Sequence, residues 1–189
     1  NAFTLAVVPA LHSGDLDPTF GAGGKLVTPM GNADDFGYSA AVQADGKIVV
    51  AGYASISNRQ NFALARYLPD GSLDPAFGSG GKVTTPFGLD SGYGRSVALQ
   101  RDGKILVAGD SPTQGSYKFA LVRYEPDGTL DNTFGSGGRM TNLVGTASYG
   151  KTVMVQSDGT IVMAGEVNAG GVDFGVARWL GGGSLDPAF

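Results

Sequence analysis

The sequence predicts an all-β protein, a β-propeller of four-stranded blades with about three blades in the chain. Three observations predict it: one motif written four times, two further motifs that keep the same interval, and Asp-Gly turns between short apolar runs. The first motif reads LDPTFGAGGK at 16–25, LDPAFGSGGK at 73–82 and LDNTFGSGGR at 130–139, with a truncated LDPAF at 185–189. Its aspartates, Asp17, Asp74, Asp131 and Asp186, stand 57, 57 and 55 residues apart. The second motif is ADGKIVVAG at 44–52, RDGKILVAG at 101–109 and SDGTIVMAG at 157–165; the third is NFALARY at 61–67, KFALVRY at 118–124 and DFGVARW at 173–179. A period of this length marks a blade or a solenoid coil.

Each element of the period then follows. YSAAVQADGKIVVAGY splits at Asp45-Gly46, a short-hairpin signal between two apolar runs, so strand A is placed at 38–44 and strand B at 47–53. After a polar stretch, FALARYLPDGSLD supplies strand C at 62–68 and a second turn at Asp70-Gly71. Strand D is the first motif with KVTTPFG, from 72 to about 87. Four antiparallel strands per period make a blade. The chain thus reads as a D strand at 14–30, two full blades, and strands A to C of a third, in one repeat domain over 14–189. Residues 1–13 read either as the tail of a signal peptide or as a worn copy of strand C.

Three blades close poorly around an axis, and a free sheet edge invites pairing. The N-terminal D strand is therefore expected to complete the last blade. Two chains would give a six-bladed homodimer; otherwise the chain is a fragment of a longer propeller.

Composition narrows the rest. The 189 residues include 32 Gly and 9 Pro, which suit many tight turns and few long helices. A net charge of -4 with no cluster of Lys and Arg argues against nucleic acid as a partner. No apolar run reaches the roughly 18 residues of a membrane-spanning helix, so no membrane insertion is expected. Zero Cys removes disulfides and thiolate chemistry, and His12 is the single histidine. Neither a Ser-His-Asp relay nor a phosphate-cradling motif is present.

LDPAFGSGGK, DGKILVAG and FALVRYEPDGTLD together resemble the delta-60 repeat of bacterial secreted and surface proteins, and in layout the NHL propellers. The resemblance spans 14–189. It implies a propeller-like array in a secreted or cell-surface bacterial protein, and implies no activity by itself.

Most repeated residues read as structural. Leu73 and Phe77 are anchors between blades, Asp74 accepts backbone N–H groups in its turn, and Arg66, Arg123 and Arg178 pair with the repeated Asp. Function belongs to positions that break the repeat, in the B-to-C and D-to-A connections, which up-and-down strand order puts on one face. There Phe36, Tyr93 and Tyr149 occupy one equivalent position before strand A, where they serve either as wedges between adjacent blades or as a ring of aromatics that stacks on sugar faces. Asp110 and Glu166 share the end of strand B, with Asp35 and Asp90 in companion loops, a set that reads as a solvated acidic rim or as oxygen ligands for a divalent cation. No cofactor is expected, calcium being the metal that such oxygen ligands suit. The expected function is a non-enzymatic binding or scaffold module with a glycan or protein ligand; the alternative is a propeller hydrolase acting through these carboxylates.

Overall fold

The computed structural model describes residues 12–87, 90–113 and 115–189. Apolar runs rich in Val, Ile and Ala, cut by Asp-Gly turns, form eleven strands among these residues and no helix. Blade 1 comprises β1 (Asp35–Val42), β2 (Ile48–Ile56), β3 (Arg59–Tyr67) and β4 (Lys82–Thr85). Blade 2 comprises β5 (Tyr93–Leu99), β6 (Ile105–Thr113), β7 (Ser116–Tyr124) and β8 (Arg139–Asn142). Blade 3 has β9 (Ala147–Val155), β10 (Ile161–Asn168) and β11 (Val172–Trp179). Each sheet is antiparallel in chain order, and the third stops at three strands. The fold is the all-β array of propeller blades that the repeat implied.

Several boundaries differ from the sequence reading, strand A among them, which is expected at 38–44 and runs from Asp35 to Val42. Strands B and C run further out than expected, since β2 and β3 pair as far as Ile56↔Arg59 and leave Ser57 and Asn58 as the whole connection. Both residues adopt left-handed backbone, with φ of 51° and 61°, the geometry of a two-residue hairpin. Strand D is shorter: its ladder with β3 covers Lys82–Thr85, with one isolated bridge from Leu73 to Tyr67, because most of Ser72 to Gly81 is spent on turns. Finally, the N-terminal segment lies beside blade 1 and leaves β11 with an open edge. Gly21 N–H donates to the Asp70 carbonyl at 2.8 Å, as Gly78 donates to Asp127 one blade later. Within one chain, then, this segment does not complete the last blade.

The repeated polar residues lock these turns. Asp74 and Asp131 accept from the backbone N–H of Ala76 and Thr133 at 3.0 and 2.9 Å, while their second oxygens accept from Arg66 and Arg123 at 2.9 and 2.7 Å. Each guanidinium lies over the Phe of the same motif, Phe77 or Phe134, at 4.4 Å. Arg66 also reaches the Pro126 carbonyl and Arg123 that of Gly181, so the same side chain ties one blade to the turn of the next.

Between blades the core is apolar. Val49, Ala51, Phe62 and Leu64 of blade 1 meet Ile105, Val107, Val122 and Tyr124 of blade 2. Leu106, Phe119 and Leu121 of blade 2 meet Ile161, Met163 and Trp179 of blade 3. Near the axis the blades touch backbone to backbone: a Cβ on Gly94 would lie 2.2 Å from the Gly52 carbonyl oxygen. Glycine is therefore required where the inner strands converge. Ser39 bridges blades 1 and 2 and Ser96 bridges blades 2 and 3, accepting at 3.2 Å from the N–H of Val97 and Val153.

Candidate functional site: an aromatic band around Arg95

The starts of β1, β5 and β9 and the ends of β2, β6 and β10 meet at the inner end of the face that carries the variable connections. Register sets the residues in pairs: Phe36 opposite Tyr53, Tyr93 opposite Asp110, and Tyr149 opposite Glu166. Directly opposed residues share a face of the sheet, so the aromatic and the variable position meet in every blade.

The rings join into a band across the three blades. Phe36 and Tyr53 stand 5.0 Å apart between ring centres; Tyr53 meets Tyr93 edge-on at 5.1 Å; Tyr93 meets Tyr117 at 6.4 Å, and Tyr117 meets Tyr149 at 4.8 Å. Burial, and next the hydroxyl of Tyr38, push the Tyr53 phenol up to about 12. Burial likewise pushes the Tyr117 phenol up, so both stay neutral hydrogen-bonding groups at physiological pH.

A bulge places the charged residues. The register of each inner strand shifts by one residue between Gly37 and Ser39, between Gly94 and Ser96, and at the Ala164/Gly165 step opposite Gly150 and Thr152. The extra residues are Tyr38, Arg95 and Lys151. A bulged residue leaves the ordinary alternation and is re-aimed, here beside the aromatic band. Arg95 donates from Nε to Asp110 Oδ1 at 2.8 Å, and its guanidinium lies 5.6 Å from the Tyr38 ring and 5.7 Å from the Tyr93 ring. Burial works against the guanidinium charge, but the bond to Asp110 outweighs it and raises the pKa of Arg95. Lys151 forms an exposed pair with Glu166 at 3.3 Å.

Asp110 itself is fully buried. Burial pushes its carboxyl up, with the Glu166 charge acting in the same direction and Arg95 and Lys151 opposing. Its Oδ2 is buried without a hydrogen-bond partner. This carboxylate orients Arg95 from below and is not open to solvent as an acid or a metal ligand.

The other expected carboxylates do not gather. Asp35 Oδ2 accepts from the N–H groups of Met30 and Gly31 at 2.7 and 3.0 Å and so pins the N-terminal segment. Asp90 lies in the turn between β4 and β5, where its N–H donates to the Phe87 carbonyl at 3.1 Å. Among the described residues no three His, Asp or Glu side chains group as metal ligands. The structure thus brings together Phe36, Tyr93, Tyr149, Asp110 and Glu166, and leaves apart Asp35, which opens β1 and holds the N-terminal segment, and Asp90, which lies in a turn. Sequence reasoning missed Tyr38, Arg95, Tyr117 and Lys151. For Tyr38, Arg95 and Lys151 the available signal was their shared offset, two residues after the aromatic position; Tyr117 has no counterpart in the other repeats.

Blade architecture and repeat agree with the comparison by sequence. Residues 43–77, 100–134 and 156–189 match the beta-propeller family described as a domain of unknown function (DUF5122), and the chain belongs to that family. No curated protein matches the chain.

Proposed function

We propose that this propeller is a carbohydrate-binding module whose ligand lies along the aromatic band, with acidic sugars preferred. The observation that carries the reading is the unbroken series Phe36, Tyr53, Tyr93, Tyr117 and Tyr149 with Arg95 fixed beside it. Aromatic faces suit the C–H faces of pyranose rings, as they suit other apolar surfaces with a polar rim. Arg95 offers a planar donor fork already oriented by Asp110, and such forks match carboxylates and sulfates. Lys151 adds a second cation held only by an exposed ion pair, worth little in water and easily exchanged for a ligand.

On this reading the chain is a delta-60-type repeat module of a secreted or cell-surface bacterial protein and acts by binding alone. Presentation of the purified protein to an array of neutral and acidic polysaccharides is the test. Retention on uronate-containing or sulfated polymers, lost together with Tyr93→Ala and Tyr149→Ala, supports the reading. Equal behaviour of wild type and both variants on every polymer overturns it.

A further inference from the structure

We infer, resting on the reading of the aromatic band as a site for acidic sugars, that the Arg95 site takes up its ligand together with one proton. The proton goes to Asp110, so sulfated glycans are held more tightly as pH falls.

Asp110 has nowhere to spread its charge. It is 0% exposed, its Oδ1 accepts from Arg95 at 2.8 Å, and its Oδ2 is buried with no hydrogen-bond partner among the described residues. Ser111, the next residue, turns its hydroxyl instead to the Ser91 carbonyl at 2.8 Å. The cover is backbone from blade 3: a Cβ on Gly150 would lie 2.3 Å from the Gly109 carbonyl oxygen. A buried carboxylate with one oxygen unsatisfied carries a cost that a neutral carboxyl largely avoids. Burial accordingly pushes the Asp110 carboxyl above the ordinary carboxylate value.

Arg95 is the group that Asp110 and a ligand must share. It is bonded through Nε alone, and no hydrogen bond joins its terminal amino groups to another described residue, although the side chain is 24% exposed. An anion seated on those amino groups stands only the width of the guanidinium away from Asp110. Like charges so close disfavour each other, and the nearer one is to losing its charge by protonation, the more readily it does so. Protonated on Oδ2, Asp110 keeps a carbonyl oxygen at Oδ1 that still accepts from Arg95 Nε. The fork thus stays oriented while the site gains one positive charge.

The other groups around Asp110 do not replace it in this role. Lys151 of β9 opposes and Glu166 of β10 adds to the upward push, and these two pair with each other at the surface at 3.3 Å. Tyr93 lies opposite on β5; Tyr117 of β7, kept neutral by burial, meets Tyr149 of β9. Lys118 stands opposite Ser111 and so on the other face of the sheet.

Coupling is reciprocal: an anion that raises the proton affinity of Asp110 is itself bound more tightly, by the same factor, once Asp110 is protonated. Because the carboxyl titrates at higher pH in the complex than in the free protein, affinity climbs as pH falls through the first value and levels off below the second. A sulfate keeps its charge throughout. A uronate loses its own charge in the ordinary carboxylate range, so its affinity falls again and acid conditions select sulfated polymers.

Calorimetric titration with a sulfated dextran oligosaccharide tests this, in steps between about pH 8 and 5 and in two buffers of different ionisation enthalpy. Wild type is expected to take up as much as one proton per ligand bound, with Kd falling by up to about tenfold per pH unit at the steepest. Asp110→Asn keeps a carbonyl for Arg95 and removes the titrating group; it is expected to take up no proton and to bind with a Kd that pH leaves flat. Binding by wild type without proton uptake, or pH dependence that survives in Asp110→Asn, overturns the inference and leaves the acidic-sugar reading standing. No binding of the sulfated oligosaccharide or of a uronic-acid oligosaccharide at any pH overturns both. Should Asp110→Asn fold poorly, the Asp110 carboxyl is followed in wild type by carbon-13 resonance: its titration midpoint is expected to rise when the sulfated oligosaccharide is added, and an unmoved midpoint overturns the inference.

Discussion

Arg123 and Asp131 are joined at 2.7 Å with side chains only 8% and 1% exposed, while the same pair one repeat later, Arg178 and Asp186, is joined at the same distance with 26% and 8% exposed. One geometry is thus present at two depths. Removing one member of a buried pair strands the other charge and costs about 3–5 kcal/mol, whereas an exposed pair is worth about 1 kcal/mol or less. Asp131→Ala is expected to cost about 3 kcal/mol or more in urea unfolding, and Asp186→Ala, in the less covered pair, clearly less. Equal losses would mean that the pairing matters and its covering does not.

The same aspartates set the response to acid. Burial raises the Asp131 carboxyl, but hydrogen bonds from Lys104, Thr133 and Arg123 outweigh it and hold the group well below the usual carboxylate range. The folded state then binds fewer protons than the unfolded state once pH falls below about 4, and stability declines with each step down. Asp110 opposes this, because burial raises its carboxyl and the folded state takes up a proton sooner. The wild type is expected to lose stability steeply below about pH 4. In Asp131→Asn the slope should be visibly shallower, as read from thermal midpoints between about pH 2 and 6.

Backbone contact at the axis leaves no room for a side chain at the inner glycines. A Cβ on Gly94 would sit 2.2 Å from the Gly52 carbonyl oxygen, and that oxygen cannot rotate away as a flexible side chain would. Gly94→Ala is expected to force the first two blades apart at a cost of about 1–3 kcal/mol or more. Gly80→Ala is the comparison, since nothing lies within 4 Å of its Cβ position; with φ of 59° it carries only the strain of left-handed backbone, about 1 kcal/mol. The reverse order in thermal melts would contradict the packing described at the axis.

The sheet order and its seams were legible because Asp-Gly turns and apolar runs recur in register, and the Arg–Asp pairs because both members recur with them. The connections between strands B and C were not, since Pro112 within β6 and the Ser57-Asn58 pair carry the composition of a loop while the chain keeps pairing through it. Arg95 was hidden for a different reason. Period-two alternation assigns a residue to one face only while the register holds, and the bulge between Gly94 and Ser96 breaks it at that residue. Asp110 could be placed at the rim by sequence, but its burial depends on the neighbouring blade, which no local pattern encodes.

Loss of a single ring from the band should weaken ligand by an amount proper to one aromatic contact. Tyr93→Ala and Tyr149→Ala are each expected to raise Kd for a bound oligosaccharide about 2- to 13-fold, from roughly 0.5–1.5 kcal/mol per contact. Tyr93 matters in two ways, because its hydroxyl also donates to Gln60 Oε1 at 3.4 Å across the blade seam. Tyr93→Phe separates the two: stacking alone predicts wild-type affinity, and a loss matching that of the alanine variant would assign the effect to the hydroxyl.

The central claim, that Arg95 and the surrounding rings form a binding surface with a preference for acidic sugars, is tested most directly by calorimetric titration of wild type and Arg95→Gln with a uronic-acid oligosaccharide and its neutral analogue. Wild type is expected to bind the acidic ligand more tightly, and Arg95→Gln to lose about tenfold or more of that affinity while the neutral ligand is nearly unchanged. Equal affinity for both ligands, or an acidic ligand held equally well without Arg95, would contradict it.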